Sequence, residues 1–332
     1  MRALIAILAT LALLAGPAAR AETGAVAIAY QYGLTYLPLL VMKEQKLLEK
    51  QAEAAGLGGL DVTYATLGGP GMVNDGLISG SVQFGAVGVP SLVTLWAKTG
   101  GNLGIKAVAA LSAMPMYLTT VNPAAKSIAD LGDQDRIALP TVKVSVQAVT
   151  LQMAAAKFLG RDKWNALDSL TVSMAHPDAM AALLSGRSQI TAHFTSAPFQ
   201  YQELASGKAH LLLDSYDVLG GKTTFVLVVS SERFRAANPK TFAAFVAALD
   251  QAMAWIAANR NEAAALYLRT TGSKETLESV LQQLNDPEIE FTTTPKNIAE
   301  YAAFMADVGT VKRRAASWKD LTFDNLHALP GS

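Results

Sequence analysis

The 332-residue sequence contains no cysteine. That excludes disulfides, thiol nucleophiles, cysteine-based metal sites and a lipid-anchoring cysteine at a processing site. Charge of either sign is not in excess, with 27 basic residues against 27 acidic ones. No basic run stands out, which argues against nucleic acid and against an anionic membrane surface as partners. Histidine is scarce: His176, His193, His210 and His327 are the full set, and none forms an HExxH or HxH pair. Neither a metal nor a cofactor is expected. Gly220-Gly221-Lys222-Thr223 imitates the end of a phosphate loop, but Tyr216 stands where that loop needs its first glycine. Gly69-Pro70-Gly71 lacks the third glycine of a dinucleotide loop, since Asn74 occupies that place, and no GxSxG occurs. With no catalytic constellation, a non-enzymatic protein is expected. Past the N-terminus, no stretch reads as long and apolar enough to span a bilayer.

What the N-terminus does contain is Arg2, an apolar run from Ala3 to Gly16, Pro17, and Ala19-Arg20-Ala21 before Glu22. A positive start, a short apolar core and an Ala-x-Ala ending describe a secretory signal covering residues 1–21, cleaved after Ala21. Together with the missing lipid-anchor cysteine, this predicts a soluble, freely diffusing periplasmic protein, expected to be monomeric. Roughly 310 residues would remain, enough for two domains of ordinary size.

Two stretches of the remaining chain are nearly the same: LISGSVQFGAVGVP, at Leu77–Pro90, and LLSGRSQITAHFTSAP, at Leu183–Pro198. Each reads as a helix end, a Ser-Gly stop, then a glutamine leading a short strand into a loop that ends in proline. Two copies of one helix–strand–loop unit predict two similar lobes, each with a loop at the carboxyl end of its strand, where open α/β sheets bind ligands.

The rest of the pattern fits. Ala25 to Tyr30 is a short apolar strand. A helix follows from Leu37 to about Ala55, with Pro38 in its first turn and Leu40, Leu47 and Leu48 on its buried face. Leu60 to Leu67 alternates as a strand, and Gly68-Gly69-Pro70-Gly71 turns into the helix before the first repeat. Val108 to Val121 reads as two strands around Met114-Pro115-Met116. The second lobe begins after Asn122-Pro123, with a strand at Arg136–Leu139, a helix from Val146 to Leu159 and a strand near Leu170 to Ser173. Thr224 to Ser230 is a strongly apolar strand, followed by helices from Pro239, Asn261, Lys274 and Lys296. The expected fold is α/β: two lobes of mostly parallel sheet flanked by helices, joined by a two-segment hinge. Residues 22–119 and 224–332 would form the first lobe and residues 120–223 the second.

YGLTYLPLLVMKEQKLLEKQ (32–51), NDGLISGSVQFGAVGVPS (74–91), IADLGDQDRIALP (128–140), HPDAMAALLSG (176–186) and NPKTFAAFVAALDQAMAWI (238–256) occur in that order, with SWKDL (317–321) near the end. In order and spacing the chain resembles the substrate-binding proteins of ABC importers for nitrate, sulfonates and taurine, whose relatives include binders of thiamine precursors. The resemblance implies a type II periplasmic binding fold, closing on a ligand and delivering it to a membrane permease driven by an ATPase. The enzymatic relatives that make the thiamine pyrimidine resemble a cysteine-rich signature, from which this chain departs.

In a two-lobe binder the first loop of each lobe faces the cleft. On the first lobe that loop is Gln31, Tyr32, Gly33 and Tyr36, one amide and two phenols around a glycine that permits close backbone approach; both tyrosines could equally be packing residues. On the second lobe it is Thr141, Lys143, Ser145, Val146 and Gln147. Ser145 is a natural N-cap, and the first-turn N–H groups behind it would hold an anion without a basic side chain. Lys143 could add charge or simply be solvated. The repeat loops add Gly88 and Ser91, then His193, Phe194 and Thr195. His193 could donate to an anion, stack on a ring or be a satisfied structural donor. Gly69 could present its backbone N–H, and Met114 could pack on a ligand's apolar body. The favoured ligand is a small sulfonate- or carboxylate-like anion flanked by Tyr32 and Phe194. Three alternatives stay open: a heteroaromatic, thiamine-precursor-like ligand, a periplasmic enzyme using His193 with Asp178 or Asp214, and a ligand-closed module docking on a sensor.

Overall fold

The computed structural model describes residues 22–332, so the expected signal segment 1–21 lies outside the described residues. The chain first lays down β1 (Ala25–Tyr30), α1 (Leu37–Gln45), α2 (Leu47–Ala54), β2 (Asp61–Thr66), α3 (Pro70–Ser79), β3 (Phe84–Gly88), α4 (Val89–Thr99) and β4 (Ile105–Ala113). A second set follows: β5 (Tyr117–Thr120), β6 (Ile137–Leu139), α5 (Val146–Phe158), β7 (Thr171–Ser173), α6 (His176–Ser185), β8 (Ala192–Thr195), α7 (Phe199–Ala205), β9 (His210–Asp214) and α8 (Ser215–Leu219). The chain then returns with β10 (Thr224–Ser231), α9 (Glu232–Ala237), α10 (Pro239–Ala258), α11 (Arg260–Thr271), α12 (Leu277–Leu284), β11 (Glu290–Phe291) and α13 (Ile298–Asp307).

The strands form two sheets, ordered β11-β4-β10-β3-β1-β2 and β7-β6-β8-β5-β9, each flanked by helices: a two-lobe α/β fold. The sheets are mixed rather than mostly parallel. β1, β2 and β3 run parallel in one and β6, β7 and β8 in the other, but β10 is antiparallel to β3 and β4, and β5 to β8 and β9. The crossing causes this. β4 leaves the first sheet at its interlobe end and β5 enters the second from that same end, so β5 must run against its neighbours; β10 does the reverse.

The chain leaves the first sheet at Met114–Met116, since Tyr117 already belongs to β5. The expected boundary after residue 119 therefore moves a few residues earlier. The first crossing segment is tied to the second lobe by a continuation of the β5–β9 pairing: Met116 N–H donates to Ser215 Oγ at 2.8 Å, and Ser215 N–H donates to Met116 O at 2.9 Å.

The expected helix from Leu37 to Ala55 is broken. Lys46 takes a left-handed conformation (φ 52°, ψ 44°), which redirects α2 so that Leu47 and Leu48 stay buried beside Leu40. A second difference concerns α10, which at 20 residues and mean hydropathy 1.4 is long and apolar enough to cross a membrane. Here it is a core helix. Phe242, Phe245, Leu249 and Ile256 are buried, and Phe245 stacks on Phe84 with ring centroids 3.9 Å apart. Glu22 closes its N-terminus, accepting from the Lys240 N–H at 2.8 Å and the Thr241 N–H at 2.7 Å.

Candidate functional site

The loops that leave β1, β2, β3, β6 and β7 at their carboxyl ends all face the junction between the lobes. A cavity lies there, lined by Gln31, Tyr32 and Tyr36 from the first loop, Gly88 from β3, Ser145, Val146 and Gln147 from α5, and His176 from α6, with Pro70, Pro140, Phe225 and Val226 completing it. Among these lining residues there is no Asp, Glu, Lys or Arg. Four helices begin on it: α3 at Pro70, α4 just after Gly88, α5 at Val146 and α6 at His176. Each N-terminus carries unpaired N–H groups and the positive end of a helix dipole. They differ in donors, because α3, α4 and α6 have a proline in the first two positions. Only α5 keeps both, the N–H groups of Val146 and Gln147, while Ser145 Oγ caps the N–H of Ala148 at 3.3 Å.

The lobes are pressed together around this cavity. The Leu34 N–H donates to Ala197 O at 2.9 Å across the junction, and Thr150 Oγ1 bonds Tyr301 Oη at 2.7 Å. Glycine permits the closest approaches. A β-carbon at Gly88 would stand 2.7 Å from Val146 Cβ, and one at Gly69 only 2.6 Å from Thr141 Oγ1. Gly33 also needs its conformation, with φ at 137°. About 20 Å³ of the cavity is open to the centre of a water-sized sphere, little more than one water needs. A larger ligand can enter only when the lobes part.

The structure brings together Gln31, Tyr32, Tyr36, Gly88, Ser145, Val146 and Gln147 from the expected set. Gln31 is held by its Nε2–H donating to Ala86 O at 3.1 Å. Burial raises the Tyr36 phenol above its ordinary range, partly offset by a hydrogen bond with Gln31. Tyr32 keeps 42% of its surface exposed at the rim. Other members stand back from the lining. Gly33, Gly69 and Thr141 form the seam, and Ser91 is buried against Asn74 and the Val144 carbonyl. Met114 and Phe194 are core residues at the hinge and in β8, so Phe194 cannot flank a ligand as expected. His193 and Thr195 are wholly buried behind the lining, and Lys143 is exposed outside it.

The profile of the NMT1-like family matches residues 19–268. The chain belongs to that family. As an NMT1-like protein it also shares the periplasmic-binding-protein fold of solved structures. The alkanesulfonate-binding protein SsuA from Xanthomonas axonopodis pv. citri, bound to MOPS, has a TM-score of 0.67 at 20% identity, covering 87% of this chain and 93% of that one. The periplasmic nitrate-binding protein NrtA from Synechocystis PCC 6803 has a TM-score of 0.69 at 15% identity, covering 92% and 88%. The periplasmic aliphatic sulphonate binding protein SsuA from Escherichia coli has a TM-score of 0.63 at 17% identity, covering 91% and 93%. These are binding proteins, not enzymes. No curated protein sequence matches the chain.

Within this NMT1-like chain sequence reasoning missed five lining residues, Pro70, Pro140, His176, Phe225 and Val226, of which only His176 brings a polar side chain. Its position at the first turn of α6, ahead of Pro177, was the available signal, because the loop after β7 is the topological counterpart of the one after β2 that ends in Gly69 and Pro70. Burial, with His193 alongside, holds the His176 imidazole well below its usual range, so it is neutral.

Proposed function

We propose that this protein is the periplasmic solute-binding component of an ABC importer, and that it captures a small organic anion, sulfonate- or carboxylate-like, between its lobes. The observation that carries the reading is a cavity on which four helix N-termini converge and which no acidic side chain lines. Buried anions are stabilised by such N–H groups and dipole ends without a formal cation. A cation would find no carboxylate there. The binding of MOPS by one fold neighbour and the nitrate and sulphonate names of others support the same class.

Loading follows a hinge motion about Met114–Met116 and the segment before Thr224, with closure favoured because the ligand touches both lobes only when they meet. Release to a permease and the removal of residues 1–21 on export belong to this proposal.

The test is calorimetric titration of the exported protein with nitrate, methanesulfonate, MOPS, benzoate and thiamine. The reading expects heat from one or more anions and none from thiamine. Binding of thiamine alone would transfer the site to the aromatic rim at Tyr32 and overturn it.

A further inference from the structure

Behind the cavity, polar side chains run in single file into the core of the second lobe. His176 Nδ1 lies 2.8 Å from His193 Nε2, and His193 Nδ1 lies 2.5 Å from Glu203 Oε1. Thr119 Oγ1 donates to Glu203 Oε2 at 2.5 Å, and the Thr195 hydroxyl sits 3.2 Å from His176 Nδ1. At the cavity end, Gln147 Nε2 is 3.3 Å from His176 Nε2. His193 and Glu203 are 0% exposed and His176 only 5%. Among the described residues, no Lys or Arg pairs with any of the three.

Counting protons reduces this file to two neutral arrangements of opposite direction. Two imidazoles and a carboxyl group are electrically neutral only when they share three protons. A buried group of this kind with a net charge and no counter-ion would be costly. The Glu203–His193 contact holds one proton, on whichever side, and the His193–His176 contact holds the second. With the Thr119 hydroxyl donating to Glu203 Oε2, the third goes to His176 Nε2; the other neutral arrangement puts it on Glu203 Oε2, donating to Thr119 Oγ1, which then donates to His193 O at 3.3 Å. With only two protons the file would be a buried anion and Nε2 would be bare. With Thr119 donating to Glu203, the neutral file turns an N–H toward the cavity. The Gln147 amide can meet it by presenting its oxygen, since the two ends of an amide exchange by rotation.

We propose that His176 is a ligand-contacting residue that donates its Nε2–H to the bound anion while itself neutral. Glu203, through His193, is the positioning residue that fixes this tautomer. The ligand half of the proposal rests on the anion reading of the cavity; the tautomer half does not. An uncharged donor suits a cavity without formal cations, and it keeps the anion's pull independent of any titration at the site itself.

Long-range proton–nitrogen NMR of the nitrogen-labelled protein tests it, with only four histidines to assign. In the wild type, without ligand, His176 is expected as the neutral Nε2–H form. Glu203→Met removes the far end of the file, so His176 should become a tautomer mixture and the affinity for MOPS should fall about tenfold, the loss of one hydrogen bond to a charged group. Glu203→Gln should restore both, because its amide can donate where the proton of the short contact lay. A bare Nε2 in the wild type overturns the proposal even if no variant folds. An unchanged tautomer in Glu203→Met removes Glu203 from the positioning role. The Nε2–H form with no anion of the panel bound would leave the tautomer assignment standing and overturn the ligand half together with the anion reading.

Discussion

Strand β3 in the first sheet and β8 in the second occupy the same place: each has a parallel strand on one side, β1 or β6, and an antiparallel one on the other, β10 or β5. Both follow a helix that ends in a left-handed glycine, Gly80 (φ 79°) or Gly186 (φ 67°). Their contents diverge. After Phe84, β3 is Gly85, Ala86, Val87 and Gly88, all small and apolar. β8 is Ala192, His193, Phe194 and Thr195, with two buried polar side chains. The first lobe thus offers backbone that another surface can approach. The second keeps polar groups in its interior, where each is costly unless hydrogen-bonded, and these lead to the cavity. The same topology serves as a wall on one side and as a source of donors on the other.

Four substitutions break or sharpen that comparison. The largest effect is expected inside the first lobe. Phe84→Ala should cost about 3–5 kcal/mol of stability, because Phe84 is wholly buried and stacked on Phe245; chemical denaturation reads it. Gly88→Ala attacks the wall where it meets the other lobe. Gly88 has an ordinary backbone (φ −72°, ψ 162°), so only space is at issue, and the added carbon would meet Val146 Cβ at 2.7 Å. The melting temperature should hardly change while ligand affinity falls by roughly two orders of magnitude, about 2.8 kcal/mol. Unchanged affinity would mean that the lobes need not close against Val146.

On the donor side, Ser145→Ala removes the cap of α5 and should lower stability by about 1 kcal/mol. Asp214→Asn has the smallest expected effect. Burial is the main reason that the Asp214 carboxyl is raised to about 6, with Glu288 and Asp217 adding to it. A carboxyl raised on folding favours the native state most below its unfolded value, and that contribution is lost as pH rises through about 6. The asparagine variant, which keeps the bond to the Tyr216 N–H, should therefore melt higher than wild type at pH 7–8. At pH 4 and below the gap should close. Asp214 is half-exposed, so the gain should stay below about 1 kcal/mol once screening is allowed for.

Much of this was legible locally. Apolar runs placed β1 and β10, the Ser-Gly stops placed the ends of α3 and α6, and Ser145 marked the start of α5 as a capping residue does. Features that depend on distant packing were not legible. The antiparallel entry of β5 and β10 follows from the interlobe crossing, which leaves no periodic trace. Lys46 breaks its helix in a conformation that its residue type does not announce. His193 drew attention as the lone histidine of a repeat loop, yet whether a strand side chain meets the cleft or the core depends on the layers above it. The histidine at the cavity, His176, looked like an ordinary helix start.

The central claim, that α5 of the second lobe holds the ligand through its backbone, is tested most directly by Val146→Pro. Proline suits a first helical turn, and Ser145 already has the extended backbone (φ −66°, ψ 155°) that a residue before proline adopts. The substitution deletes one N–H and leaves the helix in place. Calorimetric titration of wild type and variant with the tightest anion of the panel should show an affinity loss of at least about tenfold, with little change in melting temperature. Equal affinity in the two proteins would contradict the account.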